Sequence, residues 1–119
     1  MRVRGLYTPV LAFVLLVTSG IRAEVMCPNG MEPTIAALEE CVVHARAVGH
    51  IDNAGVANSL LSKLDAAQRA QDSARESAAI SLLEAFIHAV DAQAGIHIDA
   101  MHAQHMVMHA EAVIATLSS

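Results

Sequence analysis

The sequence predicts an all-α protein, a compact bundle of four antiparallel helices that follows an export segment. Three observations carry that reading. Apolar residues recur at helical spacing in four stretches, and no stretch alternates as a strand would. Glycine, asparagine and aspartate fall between the stretches, where helices must stop and start. The joints are short, roughly two to five residues, which makes consecutive helices antiparallel neighbours.

The first helix is expected over about 34–48, with Thr34 capping its free amides and Ile35, Leu38, Val42 and Ala45 sharing one face. Gly49 suits the left-handed residue that ends it. After His50 and Ile51, Asp52 or Asn53 caps a second helix over about 53–70, whose apolar stripe is Val56, Leu60, Leu61, Leu64 and Ala67. Ser73 and Glu76 have the spacing of a capping box. They open a third helix over about 74–94, with Ala79, Leu82, Leu83, Phe86, Ile87, Val90 and Ala94 turned inward. Gly95 stops that helix, and Asp99 caps a fourth over about 100–117. Its buried face is expected to be Ala103, Met106, Ala110, Val113, Ile114 and Leu117.

Two of the joints share a grammar. Gly49-His50-Ile51-Asp52 joins helices one and two, and Gly95-Ile96-His97-Ile98-Asp99 joins helices three and four. A duplicated helical hairpin explains this, and so do the demands of any tight hairpin: a glycine stop, an apolar plug and an aspartate cap.

Residues 1–23 have the parts of a secretory signal peptide: Arg2 and Arg4, an unbroken apolar run over 10–17, and Ala23 as the small residue for cleavage. The run is far shorter than the ~20 residues a spanning helix needs, so no stable membrane insertion is expected after cleavage. Glu24, Val25 and Met26 before Cys27 do not make a lipoprotein box. The remaining chain divides into a short lead-in, 24–33, and a helical domain, 34–119. Its expected location is the periplasm or the extracellular medium. Without the export segment four basic residues face twelve acids, a net charge of −8 with neutral histidines. That sign repels phosphate backbones, and Phe86 is the one aromatic left for stacking, so nucleic acid is not an expected partner.

Cys27 and Cys41 are the only cysteines, and an exported chain meets an oxidising compartment. They read as one disulfide pinning the lead-in to the first helix, worth about 3 kcal/mol for a loop of about 15 residues. A redox pair or thiolate metal site lacks the Cys-x-x-Cys spacing and a third soft ligand.

Histidine and methionine crowd the last helix. On a helical wheel Met101, His102, His105, Met108 and His109 fall in one sector, beside the buried face and not within it. Imidazole suits copper, nickel and zinc, and thioether selects copper(I), so this strip is a candidate copper or zinc site. Against that, one helix face presents ligands in a line, whereas a tight site draws them from several elements. An exposed histidine row is also compatible with plain solvation. Protonating all seven histidines would move the net charge from −8 to −1 and favour association. No nucleophile elbow, phosphate loop or His-Glu-x-x-His helix is present, and bonded cysteines are no nucleophiles. The chain is not expected to be an enzyme.

From Gly49 onward the chain resembles the FIMAH domain family, small helical modules of bacterial secreted and surface proteins. The resemblance rests on Leu60-Leu61-Ser62-Lys63-Leu64, on Phe86-Ile87-His88-Ala89-Val90, and on a glycine followed by a final helix. It covers roughly three-quarters of the sequence once helix one is included. Each matching position has a role in the fold: Phe86 as the bulky plug of an alanine-rich core, Asn53 and Gly55 at the start of helix two, Lys63 spaced to pair with nearby acids. The resemblance implies a helical module that usually sits beside larger exported domains, and it brings no catalytic residues. This sequence departs from the pattern in that the module makes up most of the chain and its last helix is rich in histidine and methionine. The functional expectation is a non-enzymatic extracytoplasmic interaction module that meets a protein or cell-envelope component. The alternative is a periplasmic or extracellular copper- or zinc-binding protein.

Overall fold

A computed structural model describes Cys27 and residues 30–119. The expected export segment, 1–23, lies outside the described residues. Four helices follow in order: α1 (Ile35–Val48), α2 (Ala54–Asp72), α3 (Glu76–Gln93) and α4 (Ala100–Ser118). Each packs against the next and α1 closes on α4, while the diagonal pairs bring no Cα atoms within 8 Å of each other among the described residues. This is the expected four-helix bundle, and no strand is formed among the described residues.

The helix ends follow local chemistry. Thr34 Oγ1 accepts from the Ala37 amide at 3.1 Å, and Asn53 Oδ1 accepts from the Val56 amide at 2.9 Å. Gly55 is small for a reason: a Cβ there would stand 3.2 Å from the capping oxygen of Asn53. Gly49 sits at φ 93°, and the amide after it bonds back to the Ala45 carbonyl at 2.8 Å. That is a Schellman closure, which needs a left-handed residue at this point.

The joint between α2 and α3 departs from the expectation. Ser73 and Glu76 do not form a capping box. Instead the α2 end closes as a Schellman turn, Arg75 N–H to the Ala70 carbonyl at 2.8 Å and Ala74 N–H to the Gln71 carbonyl at 2.9 Å. This closure takes up Ser73 as the last residue of α2's cap, leaves Ala74 left-handed at φ 59°, and makes Arg75 the first residue before α3. No side chain caps α3, although Glu76 in its first turn suits the helix dipole. Lys63 also differs: its ammonium donates to Ser59 Oγ at 3.1 Å and not to an acid.

The core holds Ile35, Leu38, Val42 and Ala45 from α1, Leu60, Leu64 and Ala67 from α2, and Leu83, Phe86 and Val90 from α3. Ala103, Met106, Ala110 and Val113 complete it from α4. Val56, Leu61, Leu82, Ile87, Ile114 and Leu117 are half-buried at its margin. Ala94, expected inward, is exposed, because α3 stops at Gln93 and the chain turns extended there. Phe86 is the largest of the fully buried side chains, in a core to which every helix also contributes buried alanine. No helix among the described residues is long and apolar enough to cross a membrane.

Candidate functional site

The two joints that share a grammar are bound to each other. Asp52 N–H donates to the His97 carbonyl at 3.0 Å, and Asp99 N–H donates to the His50 carbonyl at 2.8 Å. The reciprocal pair forms an antiparallel bridge between Ile51 and Ile98. Both isoleucines are driven into the core, at 0% and 1% exposure. With the plugs inward, the flanking histidines and aspartates face the rim of the bundle.

There the side chains organise in two groups. His97 Nδ1–H donates to Asp52 Oδ1 at 2.8 Å. Asp99 accepts twice through Oδ2, from the His102 amide at 3.2 Å as α4's cap and from His102 Nδ1 at 3.0 Å. The cap and the side-chain bond thus fix one another. His50 stacks on His102, ring centroids 3.5 Å apart and planes 21° from parallel. His102, through its side-chain bond first and its amide second, holds the Asp99 carboxyl below the ordinary value of 3.8, helped by the nearby charge of His102 and His50. The donor atoms of His50, Asp99 and His102 all lie within 4.8 Å of one another. A polar cleft of about 310 Å³ between the two joints is lined by His50, Asp52, His97 and Asp99 among others.

A second cluster lies on the seam between α1 and α4. Cys27 and Cys41 are joined as the expected disulfide, Cα atoms 4.6 Å apart. Against it lies His109 of α4, fully buried. Its Nε2 is 2.6 Å from the Glu32 carbonyl, which can only accept, so Nε2 carries the proton. In the neutral ring Nδ1 then turns a lone pair toward the sulfurs, 3.4 Å from Cys41 Sγ and 3.9 Å from Cys27 Sγ.

The histidine and methionine strip is therefore divided. Met101 and Met108 point outward, at 58% and 51% exposure. His105 is half-buried, with Nδ1 enclosed and without a hydrogen-bond partner. His102 and His109 lie within the buried face, contrary to the expectation that the whole sector would sit beside it. The seven-residue interval puts both on the stripe of Met106 and Val113. It also separates them by about 10 Å along the axis, so they cannot share one ion. Sequence reasoning missed His50, Asp99 and Glu32 as partners of these histidines. The repeated Gly-His-Ile-Asp grammar was the available signal, but it told of two similar turns, not of their pairing.

No curated protein and no solved structure matches the chain. The model of the FIMAH domain matches residues 35–115, from the first residue of α1 nearly to the end of α4. That span takes in both joints, all four helices and His109, and on it the chain belongs to the FIMAH domain family.

Proposed function

We propose that the protein is a non-enzymatic interaction module acting outside the cytoplasm, and that the end formed by the paired joints meets its partner. The observation that carries this is where large apolar side chains are left in water. Of the five exposed large apolar side chains among the described residues, Ile96, Met101 and Val48, at 66%, 58% and 51%, sit in or beside the paired joints, whereas Val43 and Met108, at 54% and 51%, lie out along α1 and α4. Exposed apolar side chains together with Asp52, Asp99 and His97, on joints locked by reciprocal hydrogen bonds, suit a protein or cell-envelope component. The buried disulfide fits a chain that matures in an oxidising compartment. A net charge of −8 after export speaks against nucleic acid. The test is capture from a solubilised envelope fraction by the immobilised protein. Ile96→Asp should reduce recovery of the captured component at least tenfold, while Glu111→Gln, on an exposed position of α4, should not. Equal recovery with Ile96→Asp would remove the paired joints as the contact surface.

A second reading, a copper- or zinc-binding protein, is favoured by the approach of His50, Asp99 and His102 from two elements. The stacked rings must rotate before both can face one ion. Calorimetry with each metal separates this set from the strip of Met101, His102, His105, Met108 and His109. Sub-micromolar, stoichiometric binding lost in His50→Ala places the ion at the joints, and loss in His105→Ala places it on the strip. No binding of either metal leaves only the first reading.

A further inference from the structure

The disulfide has a third donor in place beside it. Cys27 comes from the lead-in, Cys41 from α1 and His109 from α4, and their sulfur and nitrogen atoms all lie within 4.8 Å of one another. All three residues are buried. The arrangement is directional as well as close. The proton on Nε2 is committed to the Glu32 carbonyl, so in the neutral ring the nitrogen facing the two sulfurs carries a lone pair. A ring N–H on a backbone carbonyl is how proteins fix the tautomer of a metal-ligating histidine.

We propose that Cys27, Cys41 and His109 form a copper(I) site in the reduced protein, so that the same three residues hold the lead-in by a covalent bond in one redox state and by a metal in the other. A dithiol reductant passes two electrons and two protons to the disulfide. The S–S bond breaks, two thiols form, and the reductant leaves as its own disulfide. Copper(I) then displaces both thiol protons, making two Cu–S bonds and one Cu–N bond to Nδ1. Two thiolates are soft donors of the kind that select copper(I), an imidazole also suits copper, and the three together in a buried pocket complete a trigonal shell. Zinc asks for a fourth ligand. The site draws its ligands from three elements, the convergence that a single helix face cannot supply. It is independent of the interaction surface at the paired joints and of the His50 cluster there.

The test is an anaerobic copper(I) titration of the purified protein against a chromophoric copper(I) chelator, with and without prior reduction. The reduced protein should remove one copper per chain from the chelator, and the oxidised protein should compete at least tenfold less well. Cys41→Ser should abolish the difference between the two states, and His109→Gln, checked for retained helix content, should weaken binding by roughly tenfold or more. The Nδ1 nitrogen-15 resonance of His109 in the reduced wild type should shift on adding copper(I), a readout that needs no variant to fold. Equal competition by the two redox states, or a His109 Nδ1 resonance that copper(I) leaves in place, would overturn the proposal.

Discussion

Helix α4 carries two histidines on one stripe, two turns apart, and the molecule treats them in opposite ways. His102 is tied to the carboxylate of Asp99, stacks on a second imidazole, and lies beside a polar cleft at the rim. His109 is sealed between a backbone carbonyl and two sulfurs, and no charged side chain is among its hydrogen-bond partners in the described residues. The residue type and the helix face are the same; the neighbours differ. At the joints the neighbours are the ends of chain segments, where aspartates gather because helices need caps. On the α1–α4 seam the neighbours are a buried cross-link and a backbone carbonyl. One histidine belongs to the rim's polar network, the other to the core.

The sharpest way to break this contrast is to loosen the rim itself. Ile98 is buried beneath a joint whose backbone is hydrogen-bonded to the opposite joint, so the surroundings have little freedom to collapse. Ile98→Ala should cost about 4 kcal/mol in urea denaturation, near the upper half of the range for such cavities. Ile96→Ala, two residues away but exposed, should change stability by less than about 0.5 kcal/mol. If the two variants cost the same, the paired joints are not a rigid platform.

The seam should respond next most strongly. Replacing Cys27 and Cys41 together by alanine should cost about 3 kcal/mol, the chain-entropy value for so short a loop. His109 sharpens the comparison through a double-mutant cycle with the cysteine pair. Because Nδ1 touches both sulfurs while Nε2 holds the lead-in at Glu32, the effects should couple by roughly 1 kcal/mol or more. Purely additive denaturation midpoints would mean that the histidine merely fills space beside the bond. The same cycle between the cysteine pair and His102 should show no coupling, since the two lie in separate clusters.

Much of this fold is legible in the residues because most of its decisions are local. Thr34, Asn53 and Asp99 cap helices wherever they stand before an apolar stripe, and Gly49 can take φ 93° without strain in any context. The α2–α3 joint failed for an equally local reason. Two closures competed for Ser73, and the backbone closure through a left-handed Ala74 prevailed over the side-chain cap. The candidate sites were harder to read because their partners are remote in sequence. His109 meets Cys27 across 82 residues and Glu32 across 77. A helical wheel places a histidine in a sector but cannot say whether a disulfide or water fills the space opposite. The wheel therefore puts His102 and His109 on a flank, whereas tertiary contacts draw them inward. The cysteine pairing itself needed no such knowledge, since two cysteines in an oxidising compartment have one way to bond.

The smallest effect, and the one most specific to the rim, is a pH dependence at Asp99. His102 lowers this carboxyl from its ordinary 3.8 in the folded protein, mainly through the side-chain hydrogen bond. A depressed carboxyl favours the folded state while it is ionised, so its contribution is fully present above the unfolded value and is lost as pH falls through the lower folded value. Asp99→Asn keeps an oxygen for the His102 amide but removes the charge that titrates. Wild type should therefore be the more stable protein at pH 6, and the gap between the two denaturation midpoints should close as pH drops below about 4. His102→Gln, which leaves Asp99 its cap and deletes the imidazole, should reduce this acid dependence, whereas His109→Gln should leave it intact. An acid profile that moved with His109 and not with His102 would mean that the two histidines share one network, and the division between rim and seam would fall with it.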